Sequence, residues 1–193
     1  MIANVIHDDR RLDRAAMLAE QAQRNNFRYH LWPARFFDCP KGYILGPWAA
    51  HKQIIQHAKD EGLPYVWICE DDVKFTHPDA IQYFLDNIPD DGKTNIYLGG
   101  VWRSKWIGGE LRRWSGIHCY IVFSRFYDRF LAAPENIPVD IWIAEWHATH
   151  GGNRIKVCRP LVAKCYDGIS GTTGQYLQHD TLIGEDNRFY GES

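Results

Sequence analysis

The segment ICEDDVKF (68–75) places three carboxylates, Glu70, Asp71 and Asp72, directly after the apolar run YVWIC (65–69). A continuous apolar run of that length is the pattern of a central parallel strand covered on both faces. In open α/β sheets ligands bind beyond the carboxyl ends of the strands, which is where this acidic cluster falls. Three adjacent carboxylates repel one another unless a cation neutralises them. Hard oxygen donors suit Mg²⁺ or Mn²⁺, which commonly hold a substrate pyrophosphate through only one or two protein carboxylates. Alternating side-chain direction is expected to send Glu70 and Asp72 one way and Asp71 the other. The competing reading is a solvated acidic turn in which Asp72 caps a neighbouring element.

Other residues could serve the same site. Arg10, Arg11 and Arg14 follow the first apolar run, where guanidinium groups could reach a nucleotide or its phosphates. A solvated helix start explains them equally, Arg11 above all. His51 falls on the inner face of a helix read as opening at Gly46-Pro47, where the positive dipole end would accept phosphate oxygens. Without such a ligand it reads as a hydrogen-bonded core histidine. Transfer onto a hydroxyl needs a base, and Asp140 and Glu145 in PVDIWIAEW are the candidates outside the cluster. Asp140 also fits a helix N-cap. Glu145 shares a helical face with Ile141 and Ala148, which predicts an apolar setting. His147 and His150 have i,i+3 spacing, but no HExxH pattern or nearby cysteine supports a zinc site.

These residues need a scaffold, and the hydrophobic periodicity supplies one. Strands are expected over 2–6, 27–34, 65–69, 95–100, 117–123 and 155–158. Between them lie amphipathic segments: one from Leu12 with Ala15, Ala16, Ala19 and Ala22, and one carrying His51, Ile54, Ile55 and Ala58. A third carries Ile81, Phe84, Leu85 and Ile88 after Pro78, a short helix follows residue 123, and a last one spans 140–150. Alternating strands and helices predict an α/β fold with a mostly parallel central sheet flanked by helices. No linker divides the 193 residues, so a single domain over 1–193 is expected, with 167–193 a loop or lid-like tail.

Composition narrows the classes. Charged residues make up 24% and the net charge is -2, so no overall basic field attracts nucleic acid or anionic lipid. No apolar window reaches membrane-spanning length, and the N-terminus MIANVIHDD lacks a signal-peptide pattern. Five cysteines without a CxxC pair suggest a reduced, cytoplasmic compartment. Eight Trp residues are either core or platforms for sugar rings and nucleobases.

In order along the chain, VIHDDRRLDR, YHLWPA, GPWAAHKQII, VWICEDD and YLGG resemble the landmarks of family 25 glycosyltransferases, the lipopolysaccharide and collagen group. Ala50 stands where the family usually has Ser before His51, and DGIS (167–170) and QHD (178–180) are loose matches to its C-terminal Ser-Asp pattern. The resemblance implies a GT-A fold, with a divalent cation, Mn or Mg, at Glu70, Asp71 and Asp72. It also implies a nucleotide-diphosphate sugar donor, expected to be a UDP-sugar, bound by Arg10, Arg14, His51, Gly99 and Gly100, and transfer with inversion. The acceptor would be a hydroxyl on a glycan, a protein or a modified DNA base. The alternatives are a metal-dependent phosphoesterase or nuclease, which would favour a two-metal cluster, and a non-catalytic sugar- or nucleotide-binding module.

Overall fold

The computed structural model describes residues 1–107, 110–150, 154–169 and 176–177. The strands that matter for the site are β1 (Ile2–His7), β2 (Arg28–Pro33), β3 (Tyr65–Glu70), β4 (Val73–Phe75), β5 (Ile96–Ile107), β6 (Glu110–Phe123), β7 (Ile155–Val157) and β8 (Ala163–Cys165). The helices are α1 (Leu12–Arg24), α2 (Gly42–Asp60), α3 (Ala80–Asp86), α4 (Tyr127–Leu131) and α5 (Val139–His150). Six strands form one sheet in the order β2-β1-β3-β6-β5-β7. β1 is parallel to β2 and β3, and β5 to β7, while β6 runs antiparallel to β3 and β5. The mostly parallel α/β sheet expected from the sequence is therefore present. Among the described residues no helix is long and apolar enough to cross a membrane.

The continuous apolar run of β3 follows from burial on both faces. Val66 and Ile68 enter a core shared with α2, α4 and α5, while Trp67 and Cys69 enter a second core shared with α1 and α3. β6 divides the same way, with Tyr120 and Val122 on one face and Cys119, Ile121 and Phe123 on the other. In the first core the Trp48 ring meets Phe130 and Trp142 at 5.4 and 5.5 Å. The Trp48 indole N–H also donates to the Ile137 carbonyl at 2.7 Å, which fixes the chain just before α5 and hence Asp140.

Two helices differ from the periodicity. α1 buries Leu18 and Gln21, whereas Leu12 is exposed. Gln21 serves as a polar connector, accepting from the Phe75 N–H at 2.9 Å and donating to the Tyr166 hydroxyl at 2.8 Å. α2 begins at Gly42, so Pro47 lies inside the helix rather than at its start. A Cβ at Gly42 would lie 2.1 Å from the Phe37 carbonyl oxygen, and one at Gly46 would lie 2.2 Å from that of Arg35. These two glycines, one helical turn apart, let the Arg35–Phe37 segment lie against the helix backbone. Of the tail expected over 167–193, only 167–169 and 176–177 fall within the described residues, as a short antiparallel pairing of Gly168–Ile169 with Tyr176–Leu177.

Candidate active site

The acidic cluster sits at the carboxyl end of β3, and its neighbours come from β6 and β8. β3 pairs with β6 from Tyr65↔Phe123 to Cys69↔Cys119, and continuing that register sets Glu70 opposite His118. The β5–β6 ladder shifts register at this point, pairing Gly100 with Cys119 and then Val101 with Ile117, so His118 is passed over. Such irregularities re-aim side chains beside functional sites. His118 Nδ1 lies 3.6 Å from Glu70 Oε2 and 2.6 Å from Cys165 Sγ. Cys165 arrives because β8 pairs with β4, register Val73↔Cys165, and its thiol reaches Asp72 Oδ1 at 3.6 Å. One ligand atom each from Asp72, His118 and Cys165 therefore lie within 4.8 Å of one another.

Asp71 points elsewhere. It is 3% exposed, and its Oδ2 lies 2.9 Å from His7 Nδ1 and accepts the Asp8 N–H at 3.1 Å. Its Oδ1 accepts from Arg14 at 2.7 Å, and the same guanidinium reaches Asp72 Oδ2 at 3.1 Å. Burial works against the Arg14 charge, yet Asp72 and Asp71 outweigh it and raise its pKa. Asp71 thus ties β1, α1 and β3 together, and Glu70 and Asp72 are the cluster carboxylates nearest His118. Burial raises the Glu70 pKa; His118 opposes this, while the negative charges of Asp72 and Asp140 add to it. Burial likewise keeps the Cys165 thiol protonated well above its ordinary range. The carboxylate oxygen of Asp72 and the imidazole nitrogen of His118 can take a divalent ion of the Mn²⁺ kind, whereas the Cys165 sulfur, kept protonated by burial, is no ligand for a hard ion.

Next to Glu70 and Asp71 opens a cleft of about 300 Å³ that also takes in Arg11, Arg14, His51 and Ala50. Its aromatic wall is Phe36 and Phe37, carried on the segment that Gly42 and Gly46 admit, and Tyr43 from the first turn of α2. Among the described residues no Trp lines it: Trp48, Trp67 and Trp114 are core. Arg10 forks onto Asp8 with two 2.8 Å bonds and lies 3.7 Å from the Phe36 ring centroid. His51 is 3% exposed, 2.7 Å from the Tyr120 hydroxyl through Nδ1, and burial lowers its pKa to about 4. It is therefore a neutral imidazole at pH 7, and it both packs in the core and borders the cleft.

The remaining expected site residues fall in different places. Asp140 lies in the first turn of α5, and its Oδ2 accepts the Gly116 N–H at 2.6 Å. Gly116 has φ +71, a left-handed conformation that glycine adopts without strain and that presents this N–H two residues before His118. Glu145 is exposed, because Trp142, Ile143 and Trp146 take the buried face of α5. Gly99 and Gly100 are buried away from the cleft: a Cβ would meet Phe84 and Cys119 at one, and the Ala163 carbonyl oxygen at 2.4 Å at the other. His147 packs on Trp114 and His150 stacks on Trp146, so the pair shares no common site. Of the two C-terminal matches, DGIS is described as far as Ile169, and QHD lies outside the described residues. His118 and Cys165 were not anticipated. A histidine interrupting the apolar run IHCYIVF was a readable signal for the first, and nothing local marked the second.

Among solved structures, the chain is similar to a glycosyltransferase involved in glycosylation of the major capsid of PBCV-1. The TM-score is 0.54 at 12% identity, over 81% of this chain and 79% of that one. The fold is GT-A-like. A Drosophila β-1,4-galactosyltransferase 7 in complex with manganese, UDP-Gal and xylobiose matches at TM-score 0.44 and 11% identity, over 92% of this chain and 69% of that one. No protein-family model and no curated protein matches the sequence.

Proposed function

We propose that this chain is a metal-dependent, inverting glycosyltransferase of the family 25 kind, moving a sugar from a UDP-sugar to a hydroxyl acceptor. The observation that carries the reading is the meeting of Asp72, His118 and Cys165 at the end of β3, with Glu70 3.6 Å from His118, beside a cleft walled by aromatic and basic side chains. The GT-A-like fold supports it. Asp72 and His118, with Glu70 alongside, would hold the divalent ion, which when bound supplies positive charge to the diphosphate leaving group. Arg14 keeps Asp71 and Asp72 in place, His51 and the Phe36–Phe37 wall border the space for the donor, and Arg10 lies against the Phe36 ring. Asp140 acts as base. Gly116 anchors one of its oxygens, and the other takes the proton of the acceptor hydroxyl. The acceptor oxygen then bonds to the anomeric carbon as the bond from that carbon to the phosphate oxygen breaks. The negative charge of Asp140 adds to the raised pKa of Glu70, which supports a base on the same side of the sheet as the carboxylate cluster.

The direct check is ligand-dependent stability. Melting temperature should rise with Mn²⁺ and uridine diphosphate together, and the rise should vanish in Asp72→Asn, because a ligand that binds only the native state must raise apparent stability. No rise in the wild-type protein at saturating nucleotide would defeat the assignment.

A further inference from the structure

The opposite end of the sheet carries a second cleft, of about 720 Å³, lined by Lys93, Arg125, Arg129, Arg154, His150 and Trp146 among others. It lies where β5 and β7 begin and β6 ends, about 20 Å from the acidic cluster at 3.3 Å per residue along a six-residue strand. Four permanent cations around one concavity, in a chain of net charge -2, make a concentrated positive field. The nearby carboxylates are engaged elsewhere: Asp91 with Lys156 at 2.9 Å, and Asp128 with Lys59 at 2.6 Å. The carbonyl groups at the end of α5 favour cations there and offset part of the field. All four cations are exposed, and Arg125 is also held in place by the Thr94 carbonyl and the Phe123 ring.

We propose that this cleft binds a small soluble ligand carrying two or more phosphate groups, independently of the acidic cluster. Guanidinium forks match phosphate oxygens in pairs, and the volume lies within the range of small-molecule sites. The concave shape favours a ligand free in solution over a lipid surface.

The test is calorimetric titration of inorganic pyrophosphate in EDTA, so that no divalent ion can carry it to Asp72. The wild-type protein should bind, and binding should weaken as salt is raised. Arg129→Gln/Arg154→Gln should weaken it about tenfold or more at an unchanged melting temperature, and Asp72→Asn should leave it intact. Should that double variant melt early, Lys93→Gln/Arg129→Gln is read in its place. The proposal is overturned by a wild-type protein that does not bind, by unchanged affinity in the cleft variants, or by loss of binding in Asp72→Asn. Sedimentation with anionic vesicles in the absence of pyrophosphate binding would also overturn it. Neither outcome bears on the transferase reading, since metal and donor are both left out.

Discussion

His51 makes the folded state sensitive to acid, and the structure sets the size of the effect. The side chain is buried against Tyr120, and burial lowers its pKa from the ordinary 6.5 to about 4. Below pH 6.5 the unfolded chain takes up a proton that the folded chain refuses, so stability falls with pH until the folded pKa is reached. At about 1.36 kcal/mol per pKa unit, the loss between pH 7 and pH 4 comes to about 3 kcal/mol. His51→Gln keeps a hydrogen-bonding group for Tyr120 but cannot titrate. Urea unfolding of both proteins at the two pH values isolates the term, since the other titrating groups are common to both. The wild-type protein should lose about 3 kcal/mol more than His51→Gln on acidification. Equal losses in the two proteins would mean that the folded state admits a charged His51, and the buried-imidazole account would be wrong.

Asp140→Asn should retain metal and nucleotide binding, because the amide oxygen can still accept from Gly116, yet lose about 10²–10⁴-fold in turnover, the usual contribution of a positioned base. Glu145→Gln, at an exposed position, should leave turnover unchanged in the same assay; collapse there with normal turnover in Asp140→Asn would reverse the assignment. Arg14→Met removes the cation that buried Asp71 leans on, and chemical denaturation should show a loss of about 3–5 kcal/mol, the usual cost of breaking such a pair. Gly100→Ala forces a methyl towards the Ala163 carbonyl oxygen and should destabilise by about 1–3 kcal/mol in the same measurement without altering metal affinity.

What could be read in the sequence was whatever rested on local pattern. YVWIC had to be a strand covered on both faces, and that placed Glu70, Asp71 and Asp72 at its carboxyl end. Alternation was expected to part Asp71 from both neighbours, but β3 ends at Glu70, Arg14 bridges Asp71 and Asp72, and Glu70 and Asp71 line the same cleft. The inner faces of α2 and α3 also followed from periodicity. Contacts between distant segments could not be read this way. Cys165 reaches Asp72 only because two three-residue strands, 88 or more residues apart, pair with each other. His118 is aimed by register shifts in the β5–β6 ladder that no periodicity records. The start of α2 was placed too late because Gly46-Pro47 has the look of a helix opening, whereas the two glycines serve the approach of Arg35–Phe37. Gly99 and Gly100 stand out in sequence as a motif, but their local reason is close packing against Phe84, Cys119 and Ala163.

The most direct measurement is donor turnover. A panel of nucleotide sugars is incubated with the wild-type protein and with Asp72→Asn, with and without Mn²⁺, and nucleoside diphosphate, free sugar and inorganic phosphate are each followed. The account predicts release of uridine diphosphate from a UDP-sugar that requires Mn²⁺ and is lost in Asp72→Asn. Release that ignores the metal, release that survives in Asp72→Asn, or inorganic phosphate as the only product would contradict it.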